Sequence, residues 1–277
     1  MIDMDPLVIG EHRLSLREKP ILIAGPCALE DEEDAVRIAG KCAEMAEENG
    51  FFYIFKSSYL KDNRSSLDSY VGPGLEDGLR ILDRVRSEVG VPVLTDIHCR
   101  EEIPSVADVC DVVQIPAFLA RQTRLIVSAA KTGKVLNLKK AQFLSPEEME
   151  LAVDKARRSG AASVMVTERG TLFGYNNLVV DMTSFPRMRH FGVPLIMDVT
   201  HSLQLPGGSG TQSGGRPEFA GIIARSAAAA GCDGFFIETH FDPSSCKSDA
   251  ESMLQIDKMP GILREVSEIF DLVNSFD

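Results

Sequence analysis

The residues of this sequence that are able to do chemistry recur at the ends of short apolar runs. Eight such runs are spread along nearly the whole chain, and each ends at or beside one polar residue: Cys27, Lys56, Asp96, Gln114, Lys139, Arg169, His201 or Glu238. The set combines a thiol, an imidazole, carboxylates and permanent cations. Such groups can hold a divalent metal ion and can bind the phosphate or carboxylate of a small substrate.

Basic residues lie at these run ends or in the loops just after them, in a chain whose formal net charge is −12. They are Lys56, Lys61, Arg64, Lys139, Lys140 and Arg169. Any one of them alone is best explained as a solvated surface cation, but their repeated placement favours a cationic mouth that binds small anions, most simply phosphates. The acidic net charge argues against nucleic acid or an anionic membrane as a partner.

The run ends are far apart in the sequence, so they can form one site only in a fold that brings them together. Strands buried on both faces read as near-continuous Val/Ile/Leu runs, and helical stretches separate the runs of this chain. The pattern predicts an α/β fold, a closed (β/α)₈ or TIM barrel, in which the active site forms where the strands end. The helices are expected at residues 32–49, 75–88, 121–131, 146–159, 217–230 and 262–276.

Three further segments are expected to complement the barrel in a single domain covering residues 1–277. Residues 7–17 alternate around a central turn, which predicts a hairpin that caps the amino-terminal end of the barrel. The glycine-rich loop 204–216 is predicted to close over the site, and loop 240–249 is a second active-site loop.

Four residues are candidates for a shared metal site. In a closed barrel the eighth strand neighbours the first, so Cys27, His201, Glu238 and Asp249 come from adjacent strands or the loops after them. Their thiolate, imidazole and carboxylates suit one divalent ion: Zn²⁺, Mn²⁺, Fe²⁺, Co²⁺ or Cd²⁺. Taken singly, Cys27 is more simply a small core residue and Asp249 a helix cap, so on the residues alone both interpretations stay open.

The composition predicts a soluble protein. No stretch approaches the roughly 20 apolar residues of a membrane span, and the acidic start M-I-D-M-D-P is unlike a signal peptide. Six cysteines without a C-x-x-C pair are expected to be reduced. The expectation is a cytoplasmic protein with no membrane partner.

Short segments near almost every predicted strand end resemble those of one enzyme family. They include G-P-C at 25–27, K-D-N-R-S-S at 61–66, Q-I-P-A-F-L-A-R-Q-T at 114–123, N-L-K-K-A-Q-F at 137–143, D-V-T-H-S-L-Q at 198–204 and E-T-H-F-D-P at 238–243. In these segments the chain resembles the 3-deoxy-D-manno-octulosonate 8-phosphate synthases. Those enzymes are (β/α)₈ barrels, usually tetrameric, that join phosphoenolpyruvate to arabinose 5-phosphate.

The resemblance implies a role for each matching residue. Phosphoenolpyruvate would be surrounded by Lys56, Lys61, Gln114, Lys139, Arg169 and His201. Arabinose 5-phosphate would be bound by Asn63, Arg64, Ser65 and Ser66. By similarity Lys56, Lys61 and His201 would be catalytic. Asp96 is a further catalytic candidate, for orienting water or sugar hydroxyls, although a structural role at its strand end explains it equally well.

Similarity also bears on the metal and on the assembly. Members of the family that need a metal carry Cys at the position of Cys27, so the resemblance implies the metal-dependent class with the four ligands named above. Apolar Phe118 and Leu119 follow a strand end, where burial in a homotetramer would explain them. Asp62 departs from the Ala that is common in the family, and residues 241–247 also differ, which leaves Cys246 as a competing ligand.

Two rival functions remain open on the sequence. A 3-deoxy-heptulosonate 7-phosphate synthase shares the fold, the metal set and the enol substrate but uses erythrose 4-phosphate. Its typical Lys-Pro-Arg-Thr pattern differs from Asn63-Arg64-Ser65-Ser66. A barrel that binds phosphosugars without turning them over is the other alternative, and sialic-acid-type synthases are more distant.

Overall fold

A closed parallel barrel organises the chain in the computed structural model, which describes residues 7–15, 18–64, 66–209 and 212–276. Its eight strands, in chain order, are Ile21–Gly25, Phe52–Lys56, Val93–Asp96, Val112–Ile115, Val135–Lys139, Ser163–Glu168, Leu195–Asp198 and Gly234–His240. Each pairs in parallel with the next, and the eighth pairs with both the seventh and the first. The predicted (β/α)₈ barrel is confirmed.

Alternation along the strands divides the core into two layers. In the first strand, Ile21 and Ile23 point into the barrel, where they join an interior apolar cluster. Leu22 and Ala24 point outward and pack with the surrounding helices. Successive side chains of a strand point to opposite faces, so a run that is apolar at every position fills both layers.

The helices lie between or after the strands; most pack on the outside of the barrel, while the one-turn helix that carries His201 lies at the cavity. They are Glu32–Glu48, Leu75–Val89, Ile103–Val109, Thr123–Ala130, Met149–Arg158, Ser184–Met188, Val199–Ser202, Ala220–Ala229 and Met259–Asn274. The helix expected at 146–159 begins three residues later, because residues 146–148 form a turn in which the Glu148 carboxylate accepts the Ser145 N–H at 2.9 Å. The short helices at 103–109, 184–188 and 199–202 were not predicted, since each is too brief to show a helical period.

The hairpin predicted near the amino terminus is present as strands Leu7–Ile9 and His12–Leu14. Its turn includes Gly10, whose φ of +56° suits glycine. The side chains of Leu7, Ile9 and Leu14 belong to the interior cluster of the barrel. The hairpin therefore packs on the amino-terminal end of the strands; residues 16 and 17 of the predicted segment lie outside the described residues.

Three smaller strand pairs complete the fold. Thr171–Gly174 pairs with Asn177–Val179 in a hairpin that the sequence did not predict. The glycine-rich loop contains a second hairpin, Gln204–Ser209 with Gln212–Gly215, while residues 210 and 211 lie outside the described part. Leu254–Gln255 runs parallel to Thr239 and His240 of the eighth strand. Among the described residues, no helix is long and apolar enough to cross a membrane.

Two neighbouring residues of the first hairpin strand allow its contribution to be measured. Ile9 is fully buried in the barrel interior, whereas Val8 on the opposite face is 43% exposed. We expect Ile9→Ala to lower the free energy of unfolding by about 2–5 kcal/mol, because it leaves a cavity in the core. Val8→Ala should change it by no more than about 0.5 kcal/mol. Urea denaturation of both variants measures the difference, and equal small effects would show that the hairpin does not support the barrel.

Candidate active site

A cavity of about 840 Å³ opens at the carboxyl ends of the strands. Six residues predicted to bind phosphoenolpyruvate line it: Lys56, Lys61, Gln114, Lys139, Arg169 and His201. The lining also includes Asn63, Arg64, Ser66, Asp96 and Asp249. Cys27 and Glu238 lie just behind this lining, in contact with it, and Ser65 lies outside the described residues.

The carboxylate of Glu238 is the meeting point of three basic side chains. Its Oε1 lies 3.2 Å from Lys56 Nζ, 3.8 Å from Lys61 Nζ and 3.6 Å from His201 Nε2. Burial alone would raise the pKa of Glu238, but the neighbouring positive charges outweigh it and lower that pKa. Glu238 is therefore ionised. Its second oxygen, Oε2, is buried and has no hydrogen-bond partner among the described residues.

Three of the four predicted metal ligands converge. Cys27 Sγ and one oxygen from each of Glu238 and Asp249 all lie within 4.8 Å of one another. Burial raises the pKa of the Cys27 thiol, and the two carboxylates raise it further. A divalent ion would neutralise this concentration of negative charge and would occupy the free oxygen of Glu238. The donor set of sulfur and carboxylate oxygens therefore fits a borderline ion such as Zn²⁺.

His201, the fourth predicted ligand, is not a member of that group of three but borders it through Glu238. Asp198 fixes its ring, since one carboxylate oxygen lies 2.9 Å from His201 Nδ1 and the other accepts the His201 backbone N–H at 2.9 Å. Burial lowers the pKa of His201. With Nδ1 directed to a carboxylate, Nε2 is the ring nitrogen that faces Glu238, which is the arrangement common in metal-binding histidines.

Asp198 is a site residue that the sequence reasoning missed. It ends the seventh strand and also lies 2.6 Å from Lys139 Nζ. Burial lowers the pKa of Lys139, while the pKa of Asp198 is lowered despite burial by His201 and Lys139. The sequence feature that could have identified Asp198 is an aspartate at a strand end, three residues before a histidine.

The polar groups of Arg169 and Gln114 are held in fixed orientations. Arg169 Nη2 donates to Gln204 Oε1 at 2.9 Å, while its buried Nε has no hydrogen-bond partner among the described residues. Gln114 Oε1 accepts a hydrogen bond of 3.0 Å from Asn137, which in turn accepts one of 2.7 Å from Thr167. Arg169 therefore retains a donor for an anion, and the amide of Gln114 cannot rotate freely.

Asp96 belongs to a chain of hydrogen bonds on another side of the cavity. It accepts a bond of 2.6 Å from Ser58, whose hydroxyl accepts one of 3.0 Å from Lys56 Nζ. His98 Nε2 lies 3.3 Å from the other oxygen of Asp96. Burial would raise the pKa of Asp96, but His98 and Lys56 lower it. Sequence reasoning missed Ser58 and His98, although both follow a strand end by two residues.

The loop after the second strand meets the loop after the eighth strand through Arg64. Its guanidinium donates to Ser248 Oγ, lies 3.8 Å from Asp249 Oδ1 and donates to the Tyr70 carbonyl at 3.0 Å. Asp62 is exposed at the rim of the cavity. Cys246 is half-buried and shares a second cavity of about 300 Å³ with Cys27, but it is not part of the metal group.

The prediction that Lys140 belongs to the cationic mouth is wrong. Its side chain is buried, with Nζ 3.3 Å from Glu168 Oε1 and donating to the carbonyls of Leu144 and Gly170 at 3.2 and 3.3 Å. Lys139 and Lys140 are adjacent at a strand end and take different directions. Lys140 therefore ties together the loops after the fifth and sixth strands instead of facing a ligand.

Known proteins resemble the chain over nearly its whole length. A protein of Geobacter sp. named 2-dehydro-3-deoxyphosphooctonate aldolase is 50% identical over 97% of this chain and 98% of that protein. Proteins of the same name are 50% identical in Nitratidesulfovibrio vulgaris, over 93% of this chain and 94% of the relative, and 43% identical in Protochlamydia amoebophila, over 98% of each. The sequence profile of the DAHP synthetase I family matches residues 13–275. On this match and on the identity to its relatives, the chain belongs to the DAHP synthetase I family.

Proposed function

We propose that this protein is a 3-deoxy-D-manno-octulosonate 8-phosphate synthase. It would condense phosphoenolpyruvate, D-arabinose 5-phosphate and water to 3-deoxy-D-manno-octulosonate 8-phosphate and inorganic phosphate. The observation that carries the proposal is the cavity at the strand ends, where Lys56, Lys61, Lys139 and Arg169 converge. Relatives that match nearly the whole length at 50% identity, and are named for this octulosonate chemistry, support it.

The reaction joins two anions that repel each other. The C3 carbon of phosphoenolpyruvate attacks the aldehyde carbon of the sugar phosphate, water adds to C2, and phosphate leaves with cleavage of its C–O bond. Positive charge develops near C2 and negative charge on the former aldehyde oxygen. Fixed cations that hold both substrates in line lower the barrier mainly by proximity, which is worth up to about 7–11 kcal/mol in favourable intramolecular cases.

In this proposal each basic side chain of the cavity binds one of the two substrates. We assign Lys139 and Arg169 to the phosphate of phosphoenolpyruvate and Lys56 and Lys61 to its carboxylate, with Gln114 beside them. The unpaired Nε of Arg169 supports the first assignment, since an anion would supply its missing acceptor. Arabinose 5-phosphate is assigned to Asn63, Arg64, Ser65 and Ser66.

Asp96 is assigned to the hydroxyls of the sugar or to the attacking water. It lines the cavity and is ionised, because His98 and Lys56 lower its pKa against the effect of burial. A carboxylate can only accept hydrogen bonds, so its natural partner is an O–H group of a substrate.

We further propose that the protein uses one divalent ion, held by Cys27, His201, Glu238 and Asp249. When bound, the ion would polarise the aldehyde oxygen or position the sugar beside phosphoenolpyruvate. Zn²⁺, Mn²⁺, Fe²⁺, Co²⁺ and Cd²⁺ all suit these donors. The convergence of the sulfur with two carboxylates and the orientation of His201 by Asp198 support this ligand set.

The substrate proposal is tested by the phosphate released from phosphoenolpyruvate. We expect release with arabinose 5-phosphate and none with erythrose 4-phosphate or without a sugar, because residues 61–66 differ from the heptulosonate pattern. Release with erythrose 4-phosphate alone would instead identify a heptulosonate synthase, the activity after which the matching family is named. No release with either sugar, with a divalent metal supplied, would leave a barrel that only binds phosphosugars.

The metal proposal is tested by a pair of cysteine variants. Chelation should abolish turnover, and added Mn²⁺ or Zn²⁺ should restore it. Cys27→Ser should leave the purified protein with little bound metal, since it loses the thiolate ligand, while Cys246→Ser should keep the native content. Elemental analysis measures the metal content of both variants. Full activity of a metal-stripped preparation would contradict the assignment, and loss of metal from the Cys246 variant alone would transfer it to that residue.

A cytoplasmic homotetramer is the assembly we propose. Phe118 lines the mouth of the cavity with 55% of its surface exposed, and Leu119 beside it is half-buried. Burial of such an apolar pair against another copy would be favourable. Light scattering should give about four times the mass of one chain, and a monomeric mass would exclude this arrangement.

A further inference from the structure

Ser248 lies between the sulfur of Cys27 and the guanidinium of Arg64. Its side chain is only 2% exposed, and its Oγ is 3.0 Å from Cys27 Sγ. Arg64 Nη2 contacts the same oxygen as a donor. One hydroxyl therefore bridges the residue assigned to the sugar phosphate and the residue assigned to the metal.

The direction of these hydrogen bonds follows from the chemistry of the three groups. A guanidinium has donors only, so Ser248 Oγ must accept from Arg64 with a lone pair. The single proton of the hydroxyl is then free to point at Cys27 Sγ. The thiol proton of Cys27 has its own acceptor, Asp249 Oδ2, at 3.1 Å. If a metal ion took the place of that thiol proton, the sulfur would be a pure acceptor, and the Ser248 hydroxyl lies within hydrogen-bond distance to donate to it.

We propose that Ser248 is a positioning residue for the metal-binding sulfur. Its O–H donates to the Cys27 thiolate and holds the sulfur beside Glu238 and Asp249, while Arg64 fixes the direction of the hydroxyl. The inference rests on the proposed use of Cys27 as a metal ligand. Hydrogen bonds from outside the ligand set typically change metal affinity about 10–100-fold, so the effect is large enough to measure.

Ser252 provides a matched control in the same loop. It is also 2% exposed, but its buried Oγ has no hydrogen-bond partner among the described residues. Ser252→Ala removes the same atom as Ser248→Ala from a comparable environment. Any difference between the two variants therefore reports the bridge to Cys27 and not the general loss of a buried hydroxyl.

Titration of the metal-stripped, full-length protein with Co²⁺ tests the proposal. The near-ultraviolet charge-transfer band from thiolate to Co²⁺ reports binding at sulfur directly and needs no turnover. Ser248→Ala should bind Co²⁺ about 10–100-fold more weakly. Its band should move to longer wavelength, because a sulfur that has lost a hydrogen bond gives up charge to the metal more easily. Ser248→Thr, which keeps the hydroxyl, should restore the native band, and Ser252→Ala should match the native protein in both affinity and spectrum.

The outcomes separate this inference from the proposed function. A native charge-transfer band with unchanged affinity and wavelength in Ser248→Ala would overturn the role of Ser248 and leave Cys27 as a ligand. Equal changes in Ser248→Ala and Ser252→Ala would also overturn it, since they would indicate a general effect on the loop. Absence of the thiolate band in the native protein would overturn the metal assignment itself, and the role of Ser248 with it.

Discussion

The site depends on burying positively and negatively charged side chains together at the carboxyl ends of the strands. A buried ion costs several kcal/mol unless a partner compensates it. Glu238 and Asp198 each serve more than one basic group: Glu238 lies near Lys56, Lys61 and His201, and Asp198 near Lys139 and His201. The two carboxylates thus allow a cluster of cations to exist inside an apolar barrel. Neither could be neutralised without leaving basic side chains buried and unpaired.

Two of the buried polar atoms that lack a hydrogen-bond partner among the described residues lie at the cavity and have opposite character. Arg169 Nε is a buried donor and Glu238 Oε2 a buried acceptor, each without a hydrogen-bond partner among the described residues. A native fold tolerates few such groups, and those that persist call for an explanation. An anion beside Arg169 and a cation beside Glu238 would satisfy both. The two atoms are therefore compatible with the anionic substrate and the divalent ion proposed above.

The sequence predicts the barrel and most of its mouth because both follow from local patterns. Apolar runs fill two layers whatever their neighbours are, and parallel strands bring their ends together. Other features depend on three-dimensional contacts. Lys140 differs from Lys139 only in the direction of its side chain, and the value of Asp198 and Ser248 comes from what lies beside them. The hairpin at 171–179 is too short to show a period, and its turn uses positive φ angles at Tyr175 and Asn176.

The loop that carries Asp249 returns to the strand from which it departs. Leu254 pairs with Thr239, one residue beyond Glu238, and the Thr239 hydroxyl donates to the Leu254 carbonyl at 2.8 Å. Both ends of this loop are therefore attached to the same strand, and Asp249 lies close to the end that returns to it. Residues 241–247 occupy the outgoing half of this loop. The pairing of Leu254 with Thr239 therefore limits how far Asp249 can lie from Glu238, whichever residues make up the outgoing half.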